Sequence, residues 1–190
     1  MPETIRTFIA VKIEPQPALI ELLSLLKKTF DHEKIKWVEK NNLHLTLKFL
    51  GDTSPVQADQ VKTVLRKTAD NFSAFQFDLT GVGFFKRNRK PKVLFLNIEK
   101  NETLKQLAAE TDARLSELGF EKEQREFNPH LTLGRIKFLK DKSRFYEIIK
   151  TYKNHFIQQV KITEVIYYQS ILKPAGAEYK SIEKFEMNSF

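Results

Sequence analysis

Residues 6–13, RTFIAVKI, are a run of β-branched and aromatic types, short enough to predict a buried strand. Beyond Pro15 and Pro17 the period changes. Leu19, Leu22, Leu23, Leu26 and Phe30 fall at i, i+3, i+4, i+7 and i+11, the stripe of an amphipathic helix. Residues 35–39 and 43–50 then predict two strands separated by the Asn41-Asn42 turn signal. At Ser54 the sequence SPVQ offers a helix cap, a proline at the first helical position and a glutamine three residues after the cap. The helix it opens carries Val61, Val64, Leu65 and Phe72 inward. Phe75, Phe77 and Leu79 next alternate with polar residues as a half-exposed strand, and residues 93–98, VLFLNI, are its expected partner. A third helix opens near Asn101, with Leu104, Leu107, Ala108, Leu115 and Leu118 inward, and ends at Gly119. HLTLGRIKF at 130–138 predicts a strand, residues 142–152 a fourth helix, and 157–168 and 178–186 closing strands. Four helices interrupt about eight strands too irregularly for a doubly wound sheet, so the pattern predicts an α+β fold.

Within this pattern one tetrapeptide occurs twice: HLTL at 44–47 and again at 130–133. On a strand, alternate side chains share a face, so each copy presents an imidazole and a hydroxyl about 7 Å apart while two leucines point into the core. His44 and Thr46 form one such pair, His130 and Thr132 the other. A single histidine in this setting is most often a half-buried or surface residue. Two matches among only four histidines arise by chance at roughly a few per thousand. His32 and His155 do not match and are expected at the surface.

Histidine titrates near neutrality, so two imidazoles can serve as general base and general acid, and threonine supplies a neutral donor to a phosphoryl oxygen. Facing each other across a cleft, the four side chains would clamp a phosphodiester. A metal site needs more ligands, and the in-phase neighbour of each histidine is threonine, not a second histidine or a carboxylate. There is no nucleophile-elbow, P-loop or dinucleotide glycine motif. Acid–base catalysis without metal or cofactor is what remains, with one acid and one base that spacing alone does not assign.

The totals narrow the picture further. The 190-residue chain is expected to form a single domain, 1–190, built as two pseudo-repeated lobes with motif strands near 43–50 and 130–137. Apolar residues at 41% argue against disorder, no apolar run is long enough to span a membrane, and the first residues lack signal-peptide features, so a cytoplasmic, membrane-free monomer is expected. The absence of cysteine excludes disulfides, thiolate metal sites and cysteine nucleophiles. A net charge of +8 favours a polyanionic partner without requiring one. The run KRNRKPK at 86–92 reads most simply as a solvated hairpin loop that could touch such a partner. Lys48, in phase with His44, could help attract phosphate.

Two H-φ-T-φ motifs half a chain apart resemble the 2H phosphoesterase superfamily, and the chain is similar to its RNA 2′,3′-cyclic phosphodiesterase, or 2′–5′ RNA ligase-like, branch. The likeness runs through RTFIAVKI, KWVEKNNLHLTLKFLG, PKVLFLNIE, REFNPHLTLGRIK and YYQSILKPAGAEYKSIEKF. The resemblance implies two antiparallel sheets flanked by helices, in a bilobal pseudo-symmetric arrangement with a central groove. It implies RNA with 2′,3′-cyclic phosphate ends as the partner, with no obligate protein partner. It makes His44 the acid that protonates O3′ and His130 the base that activates water, leaving a 2′-phosphate. Thr46 and Thr132 would hold phosphate oxygens, Arg135 would contact the phosphate, and Phe49 would stack on the nucleobase. Phe49 and Arg135 each stand five residues after a motif histidine, where strict alternation gives the opposite face. The carried-over roles therefore require the strands to bulge or end, which Gly51 and Gly134 permit. Joining of RNA ends by 2′–5′ linkage is expected as a reverse activity. The competing readings are a phosphodiesterase for a small cyclic phosphate such as ADP-ribose cyclic phosphate, and an RNA-end-binding module without turnover.

Overall fold

The computed structural model describes residues 3–174 and 176–189. Met1, Pro2, Ala175 and Phe190, which fall within the expected 1–190 domain, lie outside the described residues. The chain runs β1 (Ile5–Lys12), α1 (Pro17–Thr29), β2 (Lys34–Trp37), β3 (His44–Thr53), α2 (Pro55–Asp70), β4 (Phe75–Arg87) and β5 (Lys90–Ile98). It continues through α3 (Glu102–Ser116), β6 (His130–Phe138), α4 (Lys142–Thr151), β7 (Phe156–Ile162), β8 (Glu164–Lys173) and β9 (Gly176–Glu186). The expected α+β class holds, as two antiparallel sheets with four helices.

The helices start where their caps place them. Ser54 Oγ accepts the Gln57 N–H at 3.3 Å while Gln57 Oε1 accepts the Ser54 N–H at 3.0 Å, so two otherwise unpaired donors of α2 are satisfied reciprocally. Asn101 and Asp141 cap α3 and α4 through the N–H groups of Leu104 and Arg144. The four inward leucines of α1 are all buried. No helix among the described residues is long and apolar enough to cross a membrane.

Sheet membership does not follow chain order. One sheet has the strand order β3-β1-β8-β9 and the other β2-β6-β5-β4-β7. The stretch 157–168, expected as one strand, is split: β7 pairs with β4, the chain turns at Thr163, and β8 pairs with β1 in the opposite sheet. This raises the strand count among the described residues to nine. The basic run 86–92 also differs from the loop expected for it. Only Asn88 and Arg89 form the turn, and the other residues extend β4 and β5.

One face of each sheet packs on helices, α2 and α3 against the first and α1 and α4 against the second. A continuous core joins Ile9, Val11, Leu45 and Leu47 of the first sheet to Leu94, Leu96, Leu131 and Leu133 of the second. Both pairs of motif leucines are in it. Each fully buried leucine contributes about 1.5–3 kcal/mol, so the motif strands are fixed from behind. On the other face of the first sheet, Phe8, Ala10, Ile166 and Tyr168 make a separate apolar patch with Tyr179 against it.

Candidate active site

The two motif strands share one irregularity. In β3, Ala10 pairs with Thr46 and Ile9 with Lys48, leaving Leu47 unmatched. In β6, Phe95 pairs with Thr132 and Leu94 with Gly134, leaving Leu133 unmatched. Each strand thus carries a bulge at the second leucine of HLTL, and alternation resumes one residue out of phase. The bulge brings Phe49 to the face of His44 and Thr46, and Arg135 to the face of His130 and Thr132. Exposure follows this phase: histidine and threonine are half-buried, the next inward residue is buried, and Phe49 and Arg135 stand exposed. Phe49 is 61% exposed, with its ring centre 5.6 Å from that of Phe8.

The bulge reverses the expectation for Lys48. It lies inward, away from His44, where it pairs with Asp112 of α3 and donates to the Glu121 carbonyl at 2.7 Å. The corresponding position in β6 is Gly134, where an added Cβ would lie 2.8 Å from Ile35 Cγ2 and 3.3 Å from the Lys36 carbonyl oxygen. Glycine there lets β2 close onto the bulged strand.

Each motif histidine is held the same way. His44 Nδ1 lies 2.6 Å from the Asn42 carbonyl oxygen, and His130 Nδ1 lies 2.8 Å from the Asn128 carbonyl oxygen. A carbonyl only accepts, so Nδ1 carries the proton and Nε2, without a hydrogen-bond partner among the described residues, keeps its lone pair. The signal for this contact is present in the sequence as a longer repeat, Asn-x-His-Leu-Thr-Leu, at 42–47 and 128–133.

Aromatic rings wall both imidazoles. Tyr179 meets His44 edge-on at 4.9 Å and Phe8 lies 5.1 Å from it; Phe85 meets His130 edge-on at 4.8 Å and Phe95 lies at 5.3 Å. Phe95 takes this place by lying across Gly83, where an added Cβ would stand 2.7 Å from its ring. These rings come from β1, β9, β4 and β5, distant in sequence from the histidines they wall, so no local pattern announces them. Tyr168 stacks on Phe8 at 5.1 Å, and burial, aided by Glu164 and Glu14, pushes its hydroxyl pKa up to about 12. It remains a donor at any ordinary pH.

Burial against these rings lowers the pKa of both histidines, the carbonyl bonds work against the shift, and the positive charge of Arg135 adds to it. Arg135 therefore acts on His44 and His130 alike, and β3 and β6 pass alongside one another where the two sheets meet. Thr46 and Thr132 hydroxyls have no protein hydrogen-bond partner, and Arg135 no ion pair, among the described residues. His32 and His155 are exposed and lie outside this cluster, as expected for them. Among the described residues no three His, Cys, Asp or Glu converge as metal ligands. A shallow cleft of about 670 Å³ between the start of β4 and α3 is lined by Asn71, Ser73, Gln106 and Glu110. It lacks this chemistry, since Glu110 is engaged by Asn71 and Arg114.

The lowered histidine pKa values predict an acid sensitivity. The unfolded chain binds protons at both rings as pH falls through 6.5, whereas the folded protein takes them up only at lower pH. Stability should therefore fall on acidification from about pH 6.5 toward the lowered values. Urea unfolding at pH 7.5 and 5.5 should show a smaller drop in H44Q/H130Q than in the parent; equal drops would refute the assignment.

The 2′-5′ RNA ligase superfamily matches residues 15–168 of the chain. An RNA 2′,3′-cyclic phosphodiesterase of Methanothermobacter thermautotrophicus is 31% identical over 185 residues, covering 96% of this chain and 99% of that protein. One from Thermotoga maritima is 34% identical over 178 residues, covering 92% and 91%. The fold is also that of E. coli LigT in its apo form, with a TM-score of 0.78 at 23% identity over 98% of this chain and 99% of that one. With both HLTL copies on bulged strands at the meeting of two sheets, and with these likenesses end to end, the chain belongs to the 2′-5′ RNA ligase superfamily of 2H phosphoesterases.

Proposed function

We propose that this protein hydrolyses 2′,3′-cyclic phosphate ends of RNA to 2′-phosphate ends, with His44 and His130 as its acid–base pair. The observation that carries the reading is the matched imidazoles: each has Nδ1 tied to a carbonyl and Nε2 free, and both lie in the field of Arg135. The substrate class comes from the relatives, which are named RNA 2′,3′-cyclic phosphodiesterases.

In this reading neutral His130 takes a proton from water as the water oxygen attacks phosphorus. The P–O3′ bond breaks, and protonated His44 gives its proton to O3′, leaving a 2′-phosphomonoester and a 3′-hydroxyl. The division of roles follows the family pattern. Thr46 and Thr132 donate to the non-bridging oxygens, Arg135 adds charge-assisted bonds, and Phe49 offers its exposed face to the terminal base. A 5′-hydroxyl in place of water would give 2′–5′ joining with the same departure of O3′.

Burial biases both imidazoles toward the neutral form in the free protein, so substrate binding has to favour the protonated form of the acid. A phosphodiester anion offsets the Arg135 charge and favours the imidazolium. The pH profile of kcat/KM, which reports the free protein, should peak below pH 6.5, and the alkaline limb of kcat should lie higher. The test is incubation of the purified protein with RNA ending in a 2′,3′-cyclic phosphate, with and without EDTA, followed by identification of the product end. A 2′-phosphate formed at an unchanged rate in EDTA is expected. A 3′-phosphate would reverse the leaving oxygen, and tight binding without turnover would replace catalysis by end recognition.

A further inference from the structure

Between Asp78 and Glu99 the chain carries Lys86, Arg87, Arg89, Lys90 and Lys92, and no acidic residue. β4 and β5 gather them at one end of the five-stranded sheet, around a turn whose two residues, Asn88 and Arg89, have φ of 52° and 61°. Positive φ at both positions is the tight hairpin geometry that matches the twist of the flanking strands. This hairpin leads out of the candidate site. Phe85 touches the His130 ring and pairs with Val93, which in turn pairs with Arg135. Arg87 follows on the same face about 7 Å farther along β4, directly opposite Lys90. Lys86 takes the other face, with its ammonium 5.5 Å from the centre of the Phe84 ring. Lys36 stands opposite Arg135 on β2, and Lys137 lies two residues beyond.

Among the described residues none of Lys36, Arg87, Arg89, Lys90 and Lys137 has an ion-pair partner. Elsewhere Lys62 has Asp59, Lys105 has Glu102, Arg114 has Glu110 and Lys184 has Glu164. Like charges directly opposite on paired strands destabilise a hairpin. A bound polyanion relieves that repulsion. We infer that the β4–β5 hairpin carries the RNA backbone on the 5′ side of the reacting end, and so makes a polynucleotide a better substrate than a cyclic mononucleotide. The inference rests on the proposed reaction for the reacting end. Its continuity with His130 and Arg135 favours RNA over an anionic membrane as the partner.

The test is R87A/R89A/K90A, which leaves the histidines, threonines, Phe49 and Arg135 untouched. Rates are compared on a 2′,3′-cyclic mononucleotide and on oligoribonucleotides of increasing length with the same end, between about 50 and 200 mM salt. In the parent, kcat/KM should rise with length and fall with salt. Losing three phosphate contacts should flatten the log–log salt slope for the oligonucleotide by about 2 while mononucleotide turnover stays within about two-fold. Unchanged oligonucleotide rates and slopes, or equal losses on both substrates, would overturn the inference. Fluorescence anisotropy with an oligoribonucleotide ending in a 3′-hydroxyl separates this from the reaction itself. If the parent turns over neither substrate but the triple variant loses oligonucleotide binding, the reaction fails and the hairpin stands. If the three cations govern binding to phosphatidylserine vesicles and not to RNA, the hairpin assignment is wrong.

Discussion

Replacing either His44 or His130 with alanine is expected to lower kcat/KM on RNA 2′,3′-cyclic phosphate ends by about 10²–10⁴-fold, the usual worth of one positioned acid or base. The double variant should be little worse than the more damaging single one, because acid and base act in one step and their losses do not add. The fold should survive. Each ring is only half-buried, its hydrogen bond goes to a local carbonyl, and the strands are held by leucines on the opposite face. Circular dichroism and the urea midpoint at pH 7.5 should therefore change little. A substrate with sulfur replacing O3′ distinguishes the roles, since a thiolate leaves without a proton. It should rescue the His44 variant and not the His130 variant, and the opposite pattern would exchange acid and base. Near-parental activity in both variants would end the two-histidine reading.

Lys48→Met is expected to cost about 3 kcal/mol, the penalty for leaving one charge of a buried pair alone. The Lys48 side chain is 5% exposed and that of Asp112 16%. Desolvation raises the Asp112 pKa, but Lys48 and the Glu123 N–H outweigh it and hold the carboxyl below its ordinary value. Without Lys48 the raising influence stays and most of the compensation goes. The sign of the pH dependence follows. A depressed carboxylate stabilises the fold above its unfolded pKa near 3.8, and that contribution is lost as pH falls through the folded value. Urea unfolding of K48M should therefore show a reduced stability at pH 7 and a weaker dependence on acid below about pH 4 than the parent. K48M/D112L should regain most of the loss, because two apolar groups replace both charges. A single-variant cost under about 1 kcal/mol would mean that water reaches the pair. The pair also pins the approach to His130, since Lys48 holds the Glu121 carbonyl and Asp112 accepts the Glu123 N–H at 3.1 Å.

The sequence by itself determined the features that depend on neighbours within a few residues. The stripe from Leu19 to Leu26, the Ser54 capping box and the alternation of HLTL follow from helical and strand periods. So His44 with Thr46 and His130 with Thr132 were legible as two polar pairs backed by leucine, and their repetition marked them as the candidate site. Only the tertiary structure decided the rest, because a bulge is a relation between two strands. Leu47 and Leu133 are extra only with respect to β1 and β5, and that register turned Phe49 and Arg135 toward the histidines and Lys48 toward Asp112. Sheet membership is likewise non-local: β2 joins the second motif's sheet, while β8 and β9 complete the first motif's sheet from the far end of the chain. The rings that desolvate the two imidazoles come from β1 and β9 of one sheet and from β4 and β5 of the other. The chain thus carries its proposed acid–base groups in its local sequence, and their surroundings in the pairing of distant strands.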